Sequence, residues 1–112
     1  MRKIEAIIRP AKVGDVCAAL DKMGHPGIMI TEIEGHGKQK GIEQQVRGKA
    51  YKVELITKAR IEVVAKDDDV EIIVKTIREA AFTGQVGDGK IFISPVADAV
   101  RIRTAERGDI AV

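Results

Sequence analysis

Residues 58–96, KARIEVVAKDDDVEIIVKTIREAAFTGQVGDGKIFISPV, decide the fold. Lys58 to Ala65 is rich in β-branched residues and predicts a strand. Asp67, Asp68 and Asp69 then mark a helix start, where acidic side chains cap free N–H groups and complement the dipole. Val70, Ile73, Val74 and Ile77 recur at helical spacing, and Gly84 predicts the stop. Lys90 to Val96 reads as the next strand. The unit is strand, helix, glycine loop, strand.

Working outward, the same order appears upstream. Lys3 to Arg9 predicts a first strand ended by Pro10. From Ala11 to Gly24, Val13, Val16, Cys17, Leu20 and Met23 line one helical face, with Gly24 and Pro26 as breakers. Gly27 to Glu34 predicts a second strand, and the alternating VRIRT of residues 100–104 a short fifth one. The fold class is therefore α+β, a ferredoxin-like split βαβ of order β-α-β-β-α-β with an extra C-terminal strand. Both helices are expected on one face of the sheet. Residues 28–33 and 61–65 read as apolar on both faces, which predicts a homo-oligomer. Between the second and third strands, Gly35 to about Thr57 forms a long polar connection, a length that favours a functional role. Its ends, KVELI especially, are expected to extend the flanking strands as a hairpin.

Bulk properties narrow the function. The chain has 112 residues, enough for one domain, with 45% hydrophobic and 32% charged residues and a net charge of +2. That near-balance gives no electrostatic case for binding nucleic acid. The aromatic residues, Tyr51, Phe82 and Phe92, are too few for a base-stacking sheet. The single cysteine, Cys17, fits a reducing compartment and is expected as a buried structural thiol. MRKIEAIIRP lacks the apolar run of a signal peptide, so a cytoplasmic location is expected.

Residues 84–90, GQVGDGK, fit G-x-x-x-x-G-K, but Ile91 stands where a phosphate-binding loop needs Ser or Thr. That loop also follows a strand and opens a helix, whereas the order here is reversed. Gly84, Gly87 and Gly89 still allow backbone N–H groups to converge on an anion, with Lys90 adding charge and Thr83 and Asp88 adding polar handles. On the residues alone, the loop is either a phosphate cradle or a plain turn. A second cluster, Gly35-His36-Gly37-Lys38-Gln39-Lys40-Gly41, offers free N–H groups and two lysines. Arg101 and Arg103, on one side of the fifth strand, suit forked phosphate contacts. His25 and His36 lie outside any zinc-ligand spacing, and no nucleophile-and-base pair points to catalysis.

TGQVGDGKIFI (83–93) resembles the C-terminal signature of the PII nitrogen-regulatory signal-transduction proteins. The likeness extends to PVADAVRIRTAERGDIAV, to the opening MRKIEAIIRPAKVGDVCAAL and to ITEIEGHGKQKG, and so covers the chain. It implies one domain over 1–112 and a homotrimer. A T-loop would span about 37–55, a glycine loop about 83–90 and a C-terminal loop about 102–112. It implies ATP or ADP bound between subunits by Gly35, Gly37, Lys38, Gln39, Gly87, Asp88, Gly89, Lys90, Arg101 and Arg103, with Val64 lining the adenine pocket. It also implies 2-oxoglutarate as effector at the T-loop base, held by Lys58 and by Gly37, Gln39, Lys40 and Gly41. Gln39 would ligate magnesium together with the ATP phosphates and the effector.

Target proteins implied by the resemblance include an ammonium transporter, nitrogen-assimilation enzymes, nitrogenase regulators and modifying enzymes, with recruitment to the membrane when the target is a transporter. The sequence departs from the pattern at Lys38, where Arg is usual, and at Met29, where Thr often touches the base. Within VRGKAY (46–51), Val46 and Lys49 depart from the modification motif, while Tyr51 keeps the position that some members modify. Two other readings compete: a nucleotide-binding trimer of this fold without 2-oxoglutarate sensing, and a weak nucleotide hydrolase.

Overall fold

The computed structural model describes residues 1–25, 27–37, 43–46, 49–52 and 54–112, with side chains for 1–25, 27–35 and 56–112. Strand β1 is Arg2–Ile8, helix α1 Val13–Lys22, β2 Ile28–Gly37, β3 Glu43–Val46, β4 Lys49–Lys52, β5 Glu54–Ala65, α2 Asp67–Ala81 and β6 Lys90–Pro95. Pro10 opens a 3-10 turn, Pro10–Lys12, ahead of α1. A proline at that position needs no N–H partner and presets its own φ.

Four strands form one antiparallel sheet of order β2-β5-β1-β6. Strand β5 lies between β1 and β2, and β1 lies between β5 and β6, so each helix crosses over a strand that belongs to the other half. This is the expected split βαβ topology. The long connection does extend the sheet: β2 and β5 pair from Ile28↔Val63 to Gly37↔Glu54. Beyond them β3 and β4 make a separate hairpin, from Glu43↔Lys52 to Val46↔Lys49.

Strand alternation sorts the side chains. Ile4, Ala6 and Ile8 of β1 join Ala59, Ile61, Val63 and Ala65 of β5 on one face. Val16 and Leu20 of α1 and Val70, Ile73, Ile77 and Ala81 of α2 close over them, and all are buried. Both helices thus share one face, as expected. The opposite, open face carries Lys3, Glu5 and Ile7 of β1 beside Lys58, Arg60, Glu62 and Val64 of β5. Lys3 lies 3.7 Å from Glu62, and Arg60 lies 3.0 Å from Glu62. The expectation that 61–65 is apolar on both faces therefore fails at Glu62. On β2 it fails at Thr31, while Met29 stays 54% exposed on that face.

Three other expectations are corrected. Residues 100–104 form no strand: the segment makes a single bridge, Val100↔Arg107, and turns tightly, with the Ala105 N–H donating to the Arg101 carbonyl. Val100 pairs with Arg107 of its own segment and not with an edge of the sheet, and Ile102 is 99% exposed. The aspartates opening α2 do not cap it. Lys66 is the N-cap without a side-chain hydrogen bond, and Asp67 instead accepts from the Met1 α-ammonium at 2.7 Å. Cys17 is half-buried, at the margin of the α1 core face. No helix among the described residues is long and apolar enough to cross a membrane.

Candidate functional site

The glycine loop between α2 and β6 is organised around Asp88. Its carboxylate accepts from the Thr83 and Gly84 amides, both at 2.9 Å, and from the Thr83 hydroxyl. The Thr83 hydroxyl in turn accepts from the Gln85 amide at 3.1 Å. Arg9 reaches in from the end of β1: Nε donates to Asp88 Oδ1 at 3.1 Å and Nη2 to the Val86 carbonyl at 2.9 Å. These contacts, the Thr83 hydroxyl foremost, hold the Asp88 carboxyl well below the usual carboxylate range.

Two glycines make that path possible. Gly87 has φ +104° and Gly89 φ +100°. A Cβ on Gly89 would stand 1.7 Å from the Ile7 carbonyl oxygen, so strand β1 leaves room for glycine alone. Lys58 completes the arrangement from β5, its Nζ donating to the Gly87 carbonyl at 2.6 Å. Lys90 opens β6 opposite Ile7, on the open face. Arg60 flanks Ile7 from the other side, in register. Arg9 and Lys58 thus bring two cationic groups to the loop and Lys90 follows it in sequence, an arrangement suited to an anion.

Of the residues singled out in the sequence, the structure brings together Lys58, Gly87, Asp88, Gly89 and Lys90. Gly35 and Gly37 lie on β2 opposite Ile56 and Glu54, where the long connection leaves the sheet. Lys38, Gln39, Lys40 and Gly41 lie outside the described residues, as does the side chain of Tyr51, whose backbone pairs with Gln44. Val64 is elsewhere. It lies six residues from Lys58 along β5, about 20 Å at the rise of an extended strand. There it lines a cleft of about 410 Å³ with His25, Gly27 and Val112. The C-terminal segment starts from that same end of the sheet, since β6 ends at Pro95 opposite Arg2. Arg101 is held there by Glu106 at 2.8 Å and by the Ile110 carbonyl at 2.9 Å, while Arg103 is exposed. Without a fifth strand, the two arginines do not share a strand face.

Asp88 has a different place from that of a polar handle: its oxygens serve the loop itself. Arg9 belongs to no local motif, and the sequence marks it as the last residue of a strand. A signal existed in the pairing. Continued one position past Ile8↔Ala59, the β1–β5 register sets Arg9 opposite Lys58. Continued two past Ile7↔Lys90, the β1–β6 register sets Arg9 opposite Asp88. Lys58, Arg9 and Asp88 are one row across the end of the sheet.

Comparison with known proteins agrees with this architecture over the whole chain. The family model described as nitrogen regulatory protein P-II matches residues 1–106. A nitrogen regulatory protein P-II of Cereibacter sphaeroides is 52% identical over 112 residues, covering 100% of both chains. Nitrogen regulatory protein P-II 2 of Methanothermobacter thermautotrophicus is 49% identical, covering 100% of this chain and 97% of its own. The crystal structure of Arabidopsis thaliana PII bound to citrate superposes with a TM-score of 0.80 at 40% identity, over 99% of this chain and 91% of that one.

Proposed function

The chain belongs to the nitrogen regulatory protein P-II family, and from that premise we propose that it is a non-enzymatic signal-transduction protein sensing adenylate nucleotides and 2-oxoglutarate. The observation that carries this reading is the convergence of Arg9 and Lys58 on a loop whose Gly87 and Gly89 both stand at positive φ, with Lys90 following directly at the start of β6. Backbone N–H groups of Gly87 and Gly89, with Lys90, receive the phosphates of ATP or ADP. Gly35 and Gly37 lie toward the same end on β2, and Lys38 is proposed as a further phosphate contact.

The remaining nucleotide contacts, Val64, Arg101 and Arg103, start from the opposite end of the sheet. Phosphate contacts from both ends at once are beyond the reach of a single chain. A second copy laying its Val64 end against the glycine loop of the first removes the difficulty, and a closed ring of three copies is the assembly we assign. The open sheet face, with Met29 and Phe92 half exposed, supplies a surface for it.

2-Oxoglutarate is the effector at the base of the long loop, where Lys58 supplies a cation for one carboxylate. A relative solved with citrate is in keeping with a carboxylate ligand. Magnesium is carried by the phosphates, with Gln39 as its protein ligand. The carboxylate of the glycine loop, Asp88, is already engaged by Thr83, Gly84 and Arg9. Gln39 would hold the ion, which would supply positive charge to the phosphates and the effector. Differential affinity of the ligands for loop conformations turns binding into a signal read by target proteins: an ammonium transporter, a nitrogen-assimilation enzyme or a nitrogenase regulator. The protein works in the cytoplasm, at the membrane when a transporter is the target. Tyr51 is the assigned site of covalent modification, checked by mass spectrometry of protein from nitrogen-rich and nitrogen-poor cultures.

Calorimetry tests the reading. ATP with magnesium is titrated first, and 2-oxoglutarate is then added. Gln39→Ala is expected to abolish metabolite binding and retain ADP binding, while Lys90→Ala weakens both nucleotides. Absence of heat on adding 2-oxoglutarate to the loaded wild type would overturn effector sensing. Phosphate release abolished by Lys90→Ala would favour a hydrolase.

A further inference from the structure

We propose that Arg9 is the positioning residue of the glycine loop, holding it in its anion-receiving shape and masking the Asp88 charge from the incoming phosphate. The inference rests on reading the loop as a phosphate site. Three observations lead to it. The guanidinium uses two different nitrogens on two different acceptors, Nε on Asp88 at 3.1 Å and Nη2 on the Val86 carbonyl at 2.9 Å. It therefore bridges both sides of Gly87, and Nη2 lies 3.2 Å from where a Gly87 Cβ would be. Lysine, a point donor, lacks the planar fork that spans both acceptors.

The second observation is the electrostatic oddity of the loop. A site for phosphate contains a carboxylate, Asp88, held ionised by the groups that donate to it. An ionised carboxylate beside a polyphosphate repels it, and the guanidinium in contact neutralises it. The third is that the origin of the Arg9 side chain is itself fixed. Pro10 restricts the residue before it to extended backbone, and Arg9 has φ −63° and ψ 135°. Its carbonyl also accepts from the Lys12 amide at 2.9 Å. The clamp is thus built on a rigid strand end, while Lys58 holds the Gly87 carbonyl from β5.

Two measurements test this. ADP affinity is measured by calorimetry for wild type, Arg9→Ala, Arg9→Lys and Arg9→Ala/Asp88→Asn. Loss of a charge-assisted contact pair is expected to weaken ADP about tenfold or more in Arg9→Ala. Arg9→Lys, which keeps the charge but serves one acceptor, is expected to fall between. Removing the unmasked charge in the double variant is expected to recover part of the loss, a gain that a purely structural role of Arg9 does not produce. Affinity of Arg9→Ala within twofold of wild type, or a double variant no better than the single, overturns the proposal. The second measurement is amide hydrogen exchange on the ligand-free protein. Thr83 and Gly84, whose amides donate to Asp88, are expected to exchange faster in Arg9→Ala and Arg9→Lys, and unchanged exchange overturns the clamp. Wild-type protein that fails to bind ADP defeats the nucleotide reading instead, and the exchange result then decides the clamp by itself.

Discussion

Lys58 Nζ donates to the Gly87 carbonyl at 2.6 Å, joining the base of the long loop to the glycine loop across 29 positions of sequence. One ammonium therefore has two claims on it: the carbonyl that shapes the phosphate loop and, in the proposed function, a carboxylate of the effector. The two proposed ligand sites would then be linked through that side chain.

The first prediction follows from that link. Lys58→Met is expected to abolish 2-oxoglutarate binding and also to weaken ADP, by about threefold to tenfold, because a typical hydrogen bond contributes about 0.5–1.5 kcal/mol net and solvent screens the charge at this exposed site. Calorimetry with each ligand separately measures both effects. An unchanged ADP affinity would show that Lys58 serves the long loop alone.

The glycine loop gives a second prediction, a contrast between neighbours. Gly89→Ala drives a Cβ into the Ile7 carbonyl at φ +100°, and that oxygen belongs to the central strand β1. A loss of at least about 3 kcal/mol is expected. Gly87→Ala meets only the flexible end of Arg9 at 3.2 Å, so the loss is expected near about 1–2 kcal/mol, the cost of positive φ. Urea unfolding of the two variants checks the order.

Helix α2 offers a third. Ile73 is fully buried between α2 and the sheet, whereas Ile72, beside it in sequence, is 50% exposed. Ile73→Ala is expected to cost about 2–5 kcal/mol through lost burial and the cavity left behind, and Ile72→Ala less than about 1 kcal/mol. Comparable losses at both positions would contradict the packing face assigned to α2.

How much of this was legible in the sequence depends on the range of the interaction. Ile73 and Ile77 were readable as core because helical periodicity is a local property, and the strands around them followed from β-branched runs. The VRIRT alternation misleads because alternation does not by itself choose a pairing partner: Val100 bridges Arg107 a few residues on, while among the described residues the edge strands β2 and β6 take no partner from this segment. The Asp67 cap was misread because its partner, the Met1 α-ammonium, comes from the far end of the chain. GQVGDGK pointed to a glycine loop, but the residues that shape it, Arg9 and Lys58, enter through strand register, which no local motif records. Even the role of Asp88 reversed once Arg9 was beside it: a polar handle for ligand became an organiser of backbone.

The fourth prediction concerns acid. The Asp88 carboxyl is depressed in the folded chain, first by the Thr83 hydroxyl and then by the Thr83 amide. Asp67, Asp98 and Glu106 are lowered as well: by the Met1 α-ammonium, by Arg107, and by Thr104 with Arg101, respectively. A depressed carboxylate releases its proton more readily folded than unfolded. Its contribution to stability is therefore complete above the unfolded-chain value, about 3.9 for aspartate. It is lost as pH falls below that value toward the folded one, because protonation then favours the unfolded chain. Stability is expected to be flat from neutral pH to about 5 and to decline steadily below about 4. Asp88→Asn is expected to be less stable than wild type at neutral pH and to show a shallower acid decline, so the two curves approach one another as acid protonates Asp88 in the unfolded wild-type chain. The slope does not vanish in the variant, since three other depressed carboxylates remain. Urea midpoints for both proteins from pH 7 down to pH 2 measure the convergence. Parallel curves over that range would mean that the Asp88 network, and with it the anchoring of the glycine loop to β1, contributes nothing to holding the fold.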